Sequence, residues 1–310
     1  MTDLLAPFAL DFFQRALLGG ALVAVLCAVV GTWVVIRGMA FLGEALAHGM
    51  LPGVALATVL GMPVLVGGAL SAVAMSIGIG ALQRRARLSY DTSIGLLFVS
   101  MLALGVIIIS HSGSFATDAT AILFGDILAI GTGDLVLLAV AATVGVGLAA
   151  LCHRPLVALA LDARIAHVLG LRPRLAQGVL VGLVTLAVVA SYQAVGSMLV
   201  VGLLLAPAVA AGSWTTRIPS RMLLAAVLGI VAVAVGLLVS WFAATAAGAS
   251  VAAAAIAIAL LSGALRAALT ATRTAAHTPA HAAAPAPAAI PDPAPRPPAS
   301  ASSPSLPVRP

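Results

Sequence analysis

The sequence predicts an all-α integral membrane protein, a polytopic bundle of eight to nine transmembrane helices. Three observations predict it. Of 310 residues, 62% are hydrophobic and 8% charged, with a mean hydropathy of +1.20. A soluble domain carries roughly 25% charged residues, so this chain lacks the polar surface to cover a globule. Apolar runs near the ~20 residues that cross a bilayer as a helix recur from Ala16 to about Leu265. Finally, the 15 basic residues are all arginine, and they gather at the ends of those runs.

Residues 1–15 mix aromatics with Asp11 and Arg15, the pattern of an interfacial segment leading into the first span. The spans expected from the apolar runs are Ala16–Ile36, Glu44–Leu60, Val64–Leu82, Thr92–Ser110, Leu135–Leu151, Leu175–Tyr192, Ser197–Trp214, Leu223–Phe242 and Val251–Leu265. The first opens into the others with no small-residue cleavage site before a soluble domain, so it reads as a span and not as a signal peptide. The second is the least regular, and eight spans plus a re-entrant or broken helix is the alternative count. Together they define a transmembrane domain at 16–266. Beyond it, 267–310 is rich in Pro, Ala and Ser, too poor in large apolar residues to offset its ordering entropy, and reads as a disordered tail. Its His277 and His281 read as solvated. Cys27 and Cys152 share no metal-ligand spacing and read as small apolar residues.

With nine spans, Arg37, the Arg84, Arg85 and Arg87 group, the group of Arg154, Arg164, Arg172 and Arg174, the pair Arg217 and Arg221, and Arg266 with Arg273 all fall on one side. The opposite connections hold His111 and Asp118 and no arginine, apart from Arg15 near the first span. Short loops rich in Lys and Arg stay cytoplasmic. The N-terminus is therefore expected outside and the C-terminus in the cytoplasm, and the +6 formal charge is explained by orientation rather than by nucleic acid. One cytoplasmic connection is long, CHRPLVALALDARIAHVLGLRPRLAQ. Asp162 can cap a helix that Gly170 and Pro173 stop, with Ile165, Val168 and Leu169 on one side. Such a helix suits a partner's groove; the alternative is a helix lying on the bilayer surface.

The stretch FLGEALAHGMLPGVALA places Glu44 and His48 one helical turn apart inside an apolar run. Carboxylate and imidazole at that spacing can grip one divalent cation. Pro52, four residues on, withholds the N–H that the His48 carbonyl would receive, predicting a kink and a free oxygen beside the imidazole. Ala45, Gly49, Gly53 and Ala57 form a stripe on which another helix can pack closely. Ionisable groups inside a membrane point to a transport route; the structural alternative pairs Glu44 and His48 with each other or with Arg37. Asp91 is either an N-cap of the fourth span or a pathway residue. Asp126, in a Gly-broken piece expected to hold a short helix, would with Asp118 and His111 make the outer mouth acidic, or each is a solvated loop residue. There is no lysine and hence no P-loop, no nucleophile elbow and no CxxC site, so catalysis by this chain is not expected.

These segments also resemble a known family. IRGMAFLGEALAHGMLPGVALA is similar to the signature of the permease subunits of zinc, manganese and iron ABC importers. DTSIGLLFVSMLALGVIIIS, AILFGDILAIGTGDL, ALDARIAHVLGL and VVASYQAVGSMLVVGLLLAPAVAA match in order, and the resemblance runs from about Phe13 to Leu265. It implies a type II ABC importer-like permease domain at 16–266 in a bacterial inner membrane, a homodimer with its pathway at the interface, a separate cytoplasmic ATPase, and an extracytoplasmic metal-binding protein docking on the acidic outer face. It places the ATPase-docking helix at Asp162–Leu171, which includes Arg164, Gly170 and Leu171. The family's acid and histidine map onto Glu44 and His48, with glutamate in place of the usual aspartate. The cargo would be a divalent cation, zinc or manganese, with zinc taken first as a common cargo of the class; no permanently bound cofactor is expected. The competing readings are an ion-coupled secondary transporter, with Glu44 and His48 as a proton relay, and an ABC permease for a larger metal chelate such as a siderophore.

Overall fold

The computed structural model describes residues 6–86, 88–112, 125–161 and 173–276. They form helices and two short 3-10 turns, with no strand among the described residues. Among the described residues, nine helical stretches are long and apolar enough to cross a membrane. Helix α1 spans Asp11–Ile36, α2 Ala40–Gly49, α3 Leu51–Leu60, α4 Val64–Arg85 and α5 Tyr90–Ser112. Then come α6, Thr132–Leu151; α7, His153–Leu161; α8, Pro173–Trp214; α9, Ile218–Ala243; and α10, Ala247–Ala276.

The bundle is built around α1, which is buried along much of its length and packs against α6, α8 and α9. Lipid tails are as apolar as leucine, so helices associate in a membrane by close packing of small residues rather than by the hydrophobic effect. That is the pattern here. A methyl group on Gly31 of α1 would overlap the Leu204 carbonyl of α8, and one on Gly20 would meet Val233 of α9. Gly229 of α9 lies on Ala24 of α1, and Gly236 of α9 receives Val251 of α10. On the other side of α8, α2 contacts both α4 and α5, and α3 packs on the same pair.

The second expected span is a broken helix: α2 and α3 meet at Met50, with Pro52 in the first turn of α3. α8 contains the sixth and seventh spans, Leu175–Tyr192 and Ala194–Trp214. At the start of the second of these, Gly196 adopts φ 74°, ψ 163°, a conformation essentially confined to glycine. Several ends differ from expectation. Asp11–Arg15, expected as part of an interfacial helix leading into the first span, forms one continuous helix with that span. α9 starts at Ile218 because Pro219 fits the first turn of a helix, where no N–H is needed. Residues 267–276, expected to begin the disordered tail, continue α10 as helix; alanine-rich sequence propagates a helix already started. The chain divides into two compact units, Met1–Ala268 and Leu269–Pro310. The second is described only through Ala276.

Candidate functional site

α2 carries the candidate site. Its two ionisable side chains sit one turn apart, and His48 Nε2 lies 2.9 Å from Glu44 Oε1. The imidazole is 17% exposed and the carboxylate 33%. Phe98 of α5 meets the imidazole at 5.8 Å between ring centres and 70°. Phe41, at the start of α2, meets Phe98 at 5.4 Å. Phe98 thus packs on the imidazole and Phe41 backs Phe98, while the Glu44 side chain stays partly exposed. No third His, Cys, Asp or Glu joins them among the described residues. One copy of the chain therefore presents an imidazole and a carboxylate, a fraction of the four or more donors that zinc, manganese or iron takes.

The break after His48 follows from Pro52. α2 stops at Gly49 because a proline one turn on cannot continue the ladder. The His48 carbonyl, expected to be free, is approached by the Met50 N–H, which also lies 3.2 Å from the Leu46 carbonyl. The next carbonyl, Gly49, accepts the Ser71 hydroxyl of α4 at 2.7 Å. So one buried carbonyl at the break, that of Gly49, gains a donor from a neighbouring helix, as low dielectric favours. The small-residue stripe does what its sequence implied. Gly49 lies against Met75, while Gly53 and Gly67 are backed so closely that a methyl on either would overlap the other's carbonyl.

Arg37 does not brace the Glu44–His48 pair. It turns the other way: its Nη1 donates to the Leu159 carbonyl at 2.7 Å and its Nη2 to the Gln177 amide oxygen at 3.4 Å. Of the two structural pairings open in the sequence, only Glu44 with His48 forms.

The remaining expected residues do not join the pair in a cluster. Asp91 is exposed in the first turn of α5 and does not cap it. The cap is Ser89, whose hydroxyl accepts the Thr92 N–H at 3.1 Å. Asp126 is exposed, and the expected short helix is one 3-10 turn, Ile127–Ala129, anchored by Ile127 and Ile130 on Gly20 and Gly19 of α1. His111 is exposed at the end of α5, its Nδ1 3.1 Å from the Ile107 carbonyl oxygen. Asp118, and the expected docking residues Asp162, Arg164, Ile165, Val168, Leu169, Gly170 and Leu171, lie outside the described residues. Sequence reasoning missed Phe98, Ser71, Gln177 and Leu159. Each reaches the site or its base from a separate helix, and no local spacing announces such a contact.

The ABC 3 transport family model matches residues 9–266. The chain is 34% identical over 231 residues to the manganese transport system membrane protein MntC of Listeria monocytogenes, covering 74% of this chain and 82% of that one. It is 30% identical over 238 residues to the probable iron transport system membrane protein of Haemophilus influenzae, covering 77% and 88%. Among solved structures it resembles PsaBC from Streptococcus pneumoniae in complex with Fab. The TM-score is 0.75 and the identity 29%, over 84% of this chain and 94% of that one.

Proposed function

This chain belongs to the ABC 3 transport family as a metal-ion ABC transporter permease, and we propose that Glu44 and His48 form the station through which its cargo crosses the membrane. One observation carries the reading: an ionisable pair, hydrogen-bonded at 2.9 Å and with the Glu44 side chain one third exposed, sits on a broken membrane helix. A charged group at that depth faces protein or water, not lipid. The pair is short of the four or more donors a dication takes, and a second copy of the chain would double the donor set. That supports a homodimer with the route at its centre.

The mechanism needs weak, brief ligation. Glu44 and His48 hold each other when no ion is present. A dication takes the place of the proton they share, since both ligands bind metal in their deprotonated forms. The Phe98 ring, backed by Phe41, packs on the imidazole. An extracytoplasmic binding protein delivers the ion, and a separate ATPase docks at Asp162–Leu171 and drives inward opening. Nine spans and the arginine distribution support an N-terminus outside and a C-terminus in the cytoplasm of a bacterial inner membrane. The names of the relatives move the first choice of cargo from zinc to manganese, with iron second. The donor set, a carboxylate with an imidazole, suits manganese and zinc alike, so the relatives carry this choice. In proteoliposomes holding the complete importer, Glu44→Ala and His48→Ala should each assemble yet lower metal uptake on the order of 10- to 100-fold, the scale of lost metal-site contacts. Normal uptake by both variants refutes the assignment.

A further inference from the structure

Arg37 stands where three elements meet. It caps the C-terminus of α1, and the turn after it is a Schellman closure: the Gly38 N–H donates to Val35 at 3.1 Å and the Met39 N–H to Val34 at 3.0 Å, with Gly38 at φ +65°. Met39 then leads directly into α2 and the Glu44–His48 pair. The guanidinium reaches the Leu159 carbonyl, in the last turn of α7, and the Gln177 side chain, in the first turns of α8. Leu159 and Gln177 flank the connection that the proposed function gives to ATPase docking. Gln177 closes the circuit, its Nε2 donating to Met39 Sδ at 3.5 Å.

We infer that Arg37 is a positioning residue that ties both ends of the ATPase-docking connection to the base of the metal-bearing helix α2. The inference rests on the proposed function. The physical grounds are specific to arginine. A guanidinium presents five donors in a rigid fork and can hold two acceptors at once. The Leu159 carbonyl lies in the last turn of α7, and a cation there meets the negative end of that helix. Among the described residues the Arg37 Nε–H is buried without an acceptor, so a second arrangement of the same three elements has a donor to use. A displacement of α7 against α8 pulls on Arg37, and through the two-residue turn it pulls on α2.

The test is the ratio of metal imported to ATP hydrolysed in the reconstituted importer. Arg37→Gln should leave ATP hydrolysis by the partner running and lower that ratio about tenfold, the coupling expected from one charge-assisted hydrogen bond. Arg37→Lys, which keeps the charge but not the fork, should recover part of it. A merely structural role would lower the amount of assembled importer and leave the ratio intact. A normal ratio in Arg37→Gln overturns the inference. If that variant does not assemble, Gln177→Leu decides, because it removes one arm and keeps the charge: a lowered ratio supports the clamp and a normal ratio overturns it. Glu44→Ala run beside them separates the two claims. Normal uptake there sinks the pathway reading, whereas lost uptake there with a normal ratio in Arg37→Gln sinks only the clamp.

Discussion

Glu44 carries a carboxylate a third exposed on a span of 21 residues, and its length sets how it works. Glutamate reaches one methylene further than aspartate, and here its Oε1 closes to 2.9 Å on an imidazole one turn away. Shortening it tests whether charge or reach matters. Glu44→Asp keeps the charge and should retain most of the metal uptake, whereas Glu44→Gln keeps the shape and should lose it by at least the ~10-fold typical of a disturbed metal site. Equal uptake by the two variants would show that the charge is idle. This pair was legible in the sequence because both members lie on one helix, where spacing alone places them together. Arg37 was not: its acceptors lie 122 and 140 residues away, and only the packing of α1 against α7 and α8 brings them in. Asp91 shows the limit of reading one residue by type. Ser89, two residues earlier, is better placed for the α5 cap and takes it.

At the scale of the element, the break between α2 and α3 is the feature that makes a site. Pro52 stops the ladder, Ser71 satisfies the Gly49 carbonyl, and the Gly53–Gly67 contact holds α3 against α4. The backbones of α3 and α4 touch there, so a larger residue on either side has no room. Gly53→Leu or Gly67→Leu should lower the thermal stability of the detergent-solubilised protein by roughly 1–3 kcal/mol, as overpacking does, and should reduce uptake with it. Unchanged melting would mean that α3 and α4 are not in contact in the native bundle. Proline and the small-residue stripe announced the break and the close packing. The partner helix and the Ser71 hydroxyl were invisible, because the choice of α4 is a matter of tertiary packing. The ends of α1 and α10 ran past their expected limits for a related reason: hydropathy marks where apolar residues stop, not where helical hydrogen bonding stops.

For the molecule as a whole, composition alone dictated a membrane bundle, and nine helices of spanning length among the described residues agree with it. Cargo was the least legible property. Zinc, manganese and iron accept the same two donor types, and their discrimination comes from donor number and geometry in the complete assembly. Uptake measured element by element, in a strain stripped of its own manganese, zinc and iron importers, should be largest for manganese; zinc uptake exceeding it would restore the first choice made from the sequence. The account stands or falls on whether a dication touches Glu44 and His48. The most direct measurement is an anomalous-scattering map of the complete importer trapped with manganese. The predicted result is a metal peak within coordination distance of both side chains, at the contact between two copies of the chain. A peak elsewhere in the bundle, with Glu44 and His48 turned to the acyl chains, would contradict it.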